Sequence, residues 1–345
     1  MKKKSLNVKR TSHNLILKHL NDKDILKVFK EFKKTIDVKS KYAVAISGGP
    51  DSLALAYFSK CTSIIYKTKI QYYLVDHKLR NESTSEAKKV LQILKKLKIN
   101  CKILTWKGKK PKSNIQSIAR NKRYSLLTNQ CKKSNISFLL IGHHLDDLYE
   151  NFLLRILRGS GLKGLSSMDK ISENNFEGIQ IIRPLMDIKK SELKKISKKV
   201  FNFFVEDPSN FNENFKRIRI RKLINTLESE GLDKNKLKLT IKNLKDANNA
   251  VNFYTKKNIY ENSVFFKKKN KFFLSKAFFR QPNEIIFRSF GEIIKTIGKK
   301  YYLPRGKSIS SIVSDIKLDK FKKTTLGGCV IQKTSETVIV FSERS

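Results

Sequence analysis

Up to about Arg221 the chain alternates short apolar runs with longer amphipathic stretches. Tyr42 to Ile46 (YAVAI) is rich in strand formers. It ends in Ser47-Gly48-Gly49-Pro50-Asp51-Ser52, and a helix-like segment, Leu53 to Phe58, follows. The pattern reads as strand, glycine-rich turn, helix. Further strands are expected at Gln71 to Val75, Cys101 to Thr105 and Ser137 to Ile141. Helices are expected over Glu82 to Leu97, Asn114 to Cys131 and Leu145 to Leu157. Such alternation predicts an α/β fold with a doubly wound parallel sheet. Ligands of these sheets bind at the C-terminal ends of strands, where the segments after Ile46 and Ile141 fall.

The alternation fades beyond Arg221. Residues 223–260 read as helical and polar. Residues 262–345 mix Phe-rich runs with strands at Cys329 to Gln332 and Thr337 to Phe341. Two domains are therefore expected: one over 1–222, and a smaller helical or α+β one over 223–345, helical to about 300 with a small β-containing end. No internal repeat is visible.

Composition narrows the class. Of 345 residues, 39% are hydrophobic, enough for a sizeable core, which excludes disordered and collagen-like chains. The 74 basic and 30 acidic side chains leave a net charge of +44. That points to a polyanionic partner, nucleic acid first and an anionic membrane surface second. An AT-rich genome would also favour this Lys-, Asn-, Ile- and Phe-rich composition. The excess is no tail: residues 231–345 alone hold 25 basic and 9 acidic side chains. Cys61, Cys101, Cys131 and Cys329 form no CxxC pair or zinc spacing, so a reducing cytosol fits. No apolar run approaches 18 residues, so no membrane span is expected. Met1 to Leu20 carries six basic residues and no acid; with Leu15-Ile16-Leu17 as its longest apolar run, it reads as a solvated basic helix rather than a signal segment.

Two segments carry chemistry. In Ser47 to Ser52 the adjacent glycines let backbone N–H groups approach an anion, and the helix behind adds its positive end. Ser47 and Ser52 supply hydroxyls, and Asp51 can hold Mg²⁺ beside phosphates. This is a pyrophosphate cradle, not a GxxxxGK[ST] loop. Gly306-Lys307-Ser308 lacks the first glycine and a preceding strand, and is expected to be a loop. The second segment, Gly142-His143-His144-Leu145-Asp146-Asp147-Leu148-Tyr149-Glu150-Asn151, places His143, Asp147 and Glu150 at helical offsets of 4 and 3, with Arg155 and Arg158 beyond on the same helix. The acids suit Mg²⁺ and a substrate amine, the arginines phosphate. A metal hydrolase or a charged surface helix are the alternatives; a hydrolase would not need the Ser47 cradle.

SGGPDS resembles the PP-loop of the N-type ATP pyrophosphatases, which cleave ATP between the α- and β-phosphates, adenylate an oxygen and let a nitrogen or sulfur nucleophile displace AMP. The Gly142 block closely resembles that of the tRNA(Ile)-lysidine synthase family. Val75-Asp76-His77-Lys78-Leu79-Arg80, Ala119-Arg120-Asn121-Lys122-Arg123-Tyr124, Arg183-Pro184-Leu185 and Glu206-Asp207-Pro208-Ser209-Asn210 resemble its other blocks in order, over about residues 42–221. Lys78 stands where the family usually has Gly.

The resemblance implies ATP and Mg²⁺ as cofactors, with free L-lysine and an isoleucine tRNA bearing a CAU anticodon as partners. It implies adenylation of the wobble cytidine and displacement of AMP by lysine. ATP binding falls to Ser47, Gly48, Gly49, Pro50, Asp51 and Ser52, with Asp51 as the Mg²⁺ ligand. Catalysis falls to Asp51, His143, Asp147 and Glu150, with Asp146 as the alternate acid. Phosphate or tRNA contacts fall to Arg80, Arg120, Arg123, Arg155, Arg158, Asp207, Asn210, Arg217, Arg219 and Arg221. Tyr124 reads as a core residue rather than a base-stacking one. The Phe-rich runs around 265–273 read as core with surface lysines, an RNA surface being the alternative. A tRNA thiolase is the rival activity. A homodimer is an option, and bacterial cytosol is the expected location, ahead of an organelle stroma.

Overall fold

The computed structural model describes residues 13–79, 82–108, 115–172, 178–206, 216–300 and 303–343. The chain divides into two compact units, residues 1–239 and 240–345.

In the first unit, α1 (Lys23–Lys33) starts where the Asp22 carboxylate accepts the N–H groups of Asp24 and Ile25, a side-chain N-cap. The order then runs β1 (Tyr42–Ile46), α2 (Pro50–Tyr66), β2 (Ile70–Asp76), α3 (Ser83–Lys96), β3 (Cys101–Thr105), α4 (Ile115–Lys133), β4 (Phe138–Leu140), α5 (Leu145–Ile156), β5 (Gln180–Ile182), α6 (Lys190–Phe201) and α7 (Lys216–Ser229). The long α8 (Lys234–Asn262) crosses into the second unit. The five strands form one parallel sheet in the order β3-β2-β1-β4-β5.

β1 shows why the sheet is covered on both sides. Tyr42, Val44 and Ile46 enter one core with α2, while Ala43 and Ala45 enter a second core with Leu127 and Cys131 of α4. Successive side chains of a strand point to opposite faces, so a continuous apolar run needs apolar layers above and below. The chain leaves β1 toward β2 on one side and returns to β4 on the other. The strand order therefore reverses between β1 and β4, which opens a crevice at their C-terminal ends.

The second unit continues with β6 (Ser263–Phe266), β7 (Lys271–Leu274), α9 (Asn283–Ile297), α10 (Gly306–Lys317), β8 (Lys323–Leu326), β9 (Cys329–Thr334) and β10 (Thr337–Ser342). Its strands form an antiparallel sheet in the order β6-β7-β10-β9-β8. Ile293 and Ile294 of α9 and Ile309 of α10 pack on Leu274, Val338, Val340 and Ile331.

The structure departs from three expectations. Gly306-Lys307-Ser308 is the first turn of α10, not a loop. Of the phenylalanines expected in the core, Phe272 packs against it, while Phe265 and Phe266 on an edge strand and Phe273 beside them are exposed. Arg158 does not share a helix with Arg155: α5 ends at Ile156, and Arg158 lies in the turn that Gly159 closes at φ +65°. Tyr124 is buried, as its core reading required.

Candidate active site

The chain leaves β1 through Ser47, Gly48 and Gly49 and enters α2 at Pro50, the first helical position, where a missing N–H costs nothing. Ser52 closes the turn. Its Oγ accepts the N–H groups of Ser47 and Gly48, both at 3.1 Å, and donates to the Gly49 carbonyl at 2.9 Å. Two backbone N–H groups of the loop are thus held by a hydroxyl. Gly48 has φ +87°, and a Cβ there would lie 2.6 Å from Val90 Cγ2. Both facts require glycine. Its carbonyl accepts the Val205 N–H at 3.0 Å, which pins the loop from the far side.

The segment after β4 packs directly on this loop. A Cβ on Gly142 would lie 3.1 Å from the Asp51 carbonyl carbon and 3.2 Å from the Ser52 nitrogen. His144 is the N-cap of α5, and its own N–H donates to Asp147 Oδ2 at 3.1 Å. The His144 ring is buried amid carboxylates. Nε2 is 3.5 Å from Asp51 Oδ2 and from Asp147 Oδ2, and Nδ1 is 3.6 Å from Asp146 Oδ2. Burial opposes a charge on it, but the Asp51 hydrogen bond and the Asp147 and Asp51 charges win, so its pKa is raised. For Asp147 burial likewise works against the charge. His144, by its charge and its N–H, leads the groups that together outweigh burial and hold the carboxyl below the usual range.

His143 behaves differently. It precedes α5 rather than lying on its face with Asp147 and Glu150. Its Nδ1 accepts from Arg183 Nε at 3.1 Å. Burial first, and then the Arg183 charge, push its pKa down to about 3 despite the pull of Asp147. It is a neutral acceptor that fixes Arg183, whose Nη1 also donates to the Asp169 carbonyl at 2.8 Å. Asp146 Oδ2 accepts the Lys190 N–H at 2.8 Å at the start of α6. Glu150 is buried, and its Oε1 accepts Arg221 Nε at 2.5 Å.

Two carboxylate oxygens in this cluster, Asp51 Oδ1 and Glu150 Oε2, are buried with no hydrogen-bond partner among the described residues. Each such acceptor has room for a partner from a water, an ion or a ligand. No group of three or more His, Cys, Asp or Glu side chains among the described residues could hold a metal by itself. Asp51, with its unpartnered Oδ1, fits a Mg²⁺ shared with nucleotide phosphates, an ion that takes only one or two protein carboxylates.

The other predicted contacts are spread around this centre. Arg120 lies over the Tyr124 ring, 5.1 Å from its centroid, and Arg123 Nε donates to His77 Nε2 at 3.1 Å, joining α4 to the turn after β2. Arg155 is half-buried and Arg158 exposed. Arg217 and Arg219 are exposed on α7, which turns Ile218, Ile220 and Ile224 inward. Arg221 is not a free phosphate contact, because Glu150 holds it. Arg80, Asp207 and Asn210 lie outside the described residues. Lys78, in the family's glycine position, has φ +50°. Two residues at the centre had no role assigned from sequence: His144, one of an ambiguous His pair, and Arg183, quoted only as part of a block.

Comparison with known proteins agrees with this geometry. The sequence model of the PP-loop domain family matches residues 18–227. The chain is 35% identical to the tRNA(Ile)-lysidine synthase of Wolbachia pipientis wMel, over 89% of this chain and 71% of that protein. It is 34% identical to the tRNA(Ile)-lysidine synthase of Orientia tsutsugamushi (strain Boryong), over 88% and 70%. In structure it resembles the U34-tRNA thiolase NcsA from Methanococcus maripaludis, with a TM-score of 0.55 at 20% identity, over 65% of this chain and 79% of that one; this likeness concerns the fold. With its loop, its acid cluster and its sheet order in place, the chain belongs to the PP-loop family, in the branch of the tRNA(Ile)-lysidine synthases.

Proposed function

We propose that the chain converts the wobble cytidine of an isoleucine tRNA with a CAU anticodon to lysidine, using ATP and free L-lysine. The cytidine 2-carbonyl oxygen attacks the α-phosphorus of ATP, an O–P bond forms and pyrophosphate leaves. A lysine amine then attacks C2, the C2–O bond breaks and AMP leaves with the oxygen.

The observation that carries this reading is the convergence of two motifs at the β1/β4 reversal. Asp51 of the loop and Asp147 of α5 stand at equal distance from one buried imidazole, so nucleotide cleavage and amine binding share a site. Residues 47–52 hold the nucleotide phosphates, which take the Ser47 and Gly48 N–H groups from Ser52 Oγ. Asp51 would hold Mg²⁺, and the ion would supply positive charge to offset that of the departing pyrophosphate. A lysine amine, with a reference pKa of about 10.4, must lose a proton before attack. Asp147 and Glu150 are the groups that take it. Asp147 is held ionised, and Glu150 Oε2 lacks a partner. Asp146 is the lesser candidate, being tied to α6. His143 orders Arg183. Arg120, Arg123, Arg155, Arg158, Arg217 and Arg219 contact phosphates of ATP or tRNA, Arg80 joins them, and Asp207 and Asn210 are contacts to other groups of the tRNA. Residues 1–222 serve as the catalytic module and 223–345 as the RNA-binding one. A cytosolic location fits these substrates, tRNA, ATP and free lysine. A homodimer is the assembly that sedimentation would test.

Sulfur transfer is disfavoured by the cysteines. Burial pushes the thiols of Cys61 and Cys101 up to about 12 and those of Cys131 and Cys329 up to about 11, away from the thiolate that sulfur chemistry uses. The test is nucleotide stoichiometry: tRNA-dependent, lysine-dependent formation of AMP and pyrophosphate supports the proposal, whereas ADP, or AMP formed without need of lysine, contradicts it.

A further inference from the structure

Among the described residues, the C-terminal sheet has one covered and one open face. α9 and α10 pack on Leu274, Val338, Val340 and Ile331. Alternation then sends their neighbours to the other side. Phe273 of β7 stands opposite Ile339 of β10, and Lys271 stands opposite Phe341. On the outer strands, Val264 pairs with Phe273, and Phe266 pairs with Lys271. None of these residues is buried. Val264 is 66% exposed, Phe266 43% and Phe273 36%, while Ile339 and Phe341 are half-buried. Three phenylalanines thus share an open face, two of them on the inner strands β7 and β10, an unusual use of aromatic residues unless something covers them.

Charge says what covers it. The segment from Asn262 to Asn283 contains Lys267, Lys268, Lys269, Lys271, Lys276 and Arg280 and no acidic residue. Lys267, Lys268 and Lys269 are exposed in the turn between β6 and β7, and Lys271 Nζ lies 4.6 Å from the Phe341 ring centroid. A second copy carrying the same +44 charge would be repelled from this face. A polyanion whose subunits present flat π-faces is complementary to it. An open antiparallel sheet with aromatic residues on its inner strands suits bases that are not already stacked in a duplex.

We propose that the open face of this sheet is a stacking platform for unpaired RNA bases. Phe273 and Phe341 carry the stacking, and Lys271 with the Lys267–Lys269 turn engages the phosphates. This rests on the reading that the substrate is an RNA, and adds a second contact remote in sequence from the PP-loop.

The test uses the full chain with a labelled single-stranded RNA of about ten nucleotides and a blunt RNA duplex of about 12 base pairs, followed by anisotropy. F273A and F341A should each weaken single-strand binding about tenfold and leave duplex binding and the salt dependence unchanged. Replacing Lys267, Lys268 and Lys269 by alanine should instead reduce the salt dependence. F273L keeps apolar volume without a π-face and should lose affinity as F273A does, with thermal melts and ATP binding as in the parent. Single-strand affinity within twofold of the parent in F273A, full affinity in F273L, or equal preference for duplex overturns the proposal. So does a change in sedimentation on F273A without a change in RNA affinity, which would make the face a self-association surface. Lysine transfer to tRNA is read separately. If transfer is intact and the Phe273 variants bind normally, the platform alone fails. If the parent transfers no lysine, the functional reading fails while the oligonucleotide result still decides the platform.

Discussion

Arg221 Nε donates to Glu150 Oε1 at 2.5 Å, tying α7 to α5 at the centre of the acid cluster. The carboxylate is almost wholly buried and the guanidinium about one-third exposed. Removing the arginine leaves a buried charge without its partner, which costs about 2 kcal/mol at such a half-open pair. Arg221→Ala should therefore lower stability by about that amount. It should also raise KM for lysine more than it lowers kcat, because Glu150 loses its orientation. Denaturant unfolding and a lysine titration check this; an unchanged KM would contradict the role given to Glu150.

Gly48 and Gly178 share a positive φ, +87° and +86°, but not an environment. A Cβ at Gly48 meets Val90, whereas nothing lies within 4 Å of one at Gly178. Gly178→Ala should cost about 1 kcal/mol of backbone strain. Gly48→Ala adds overpacking, for about 2–4 kcal/mol in all, and should abolish ATP binding. Paired melts and nucleotide titrations separate the two; equal costs would show that the Val90 contact yields freely.

These contrasts also show what the sequence could carry. β1 and the loop were legible because YAVAI ends abruptly at two glycines, and the four-strand alternation led to the right sheet class. β5 was not, because three residues beside Arg183-Pro184 carry no periodicity. β6 and β8 are four-residue edge strands, too short for a strand pattern to rise above a Phe- or Thr-rich run. The His143-His144 doublet marked the site without saying which ring enters it, since that depends on where α5 begins. Arg221 read as a phosphate contact because its partner lies far away in the chain. Lys78 shows the reverse: its φ of +50° gives a physical reason for the family's glycine there.

Acid should weaken the fold first through its histidines. Burial pushes His77 down to about 4 and His143 down to about 3, from an ordinary value of 6.5. Between about pH 6.5 and 4 the unfolded chain then binds protons that the folded chain refuses. Stability consequently falls as pH falls through that window, by at most about 1.4 kcal/mol per pH unit for each group and less for half-exposed His77. His144 has the opposite sign, its raised pKa lending stability below 6.5 that is lost as pH rises through the folded value. Melting curves of His143→Asn against the parent should show a flatter acid limb; an unchanged slope would mean His143 is not held neutral.

Asp146 and Asp147 are adjacent but differ in what they hold. Asp146 Oδ2 accepts the Lys190 N–H, while Asp147 faces His144 beside the loop. Asp147→Asn should reduce lysine transfer at least about a hundredfold, the scale of a lost acid–base group, while ATP still binds. Asp146→Asn should lower the melting temperature and keep most activity. Near-parent transfer in Asp147→Asn would remove it from the mechanism.

The most direct measurement is incorporation of labelled lysine into an isoleucine tRNA transcript with a CAU anticodon, in the presence of ATP and Mg²⁺. Acid-precipitable label is expected, and it should vanish when the wobble C becomes U and in Asp51→Ala. ATP consumption without label, or label insensitive to the wobble base, would contradict the proposed reaction.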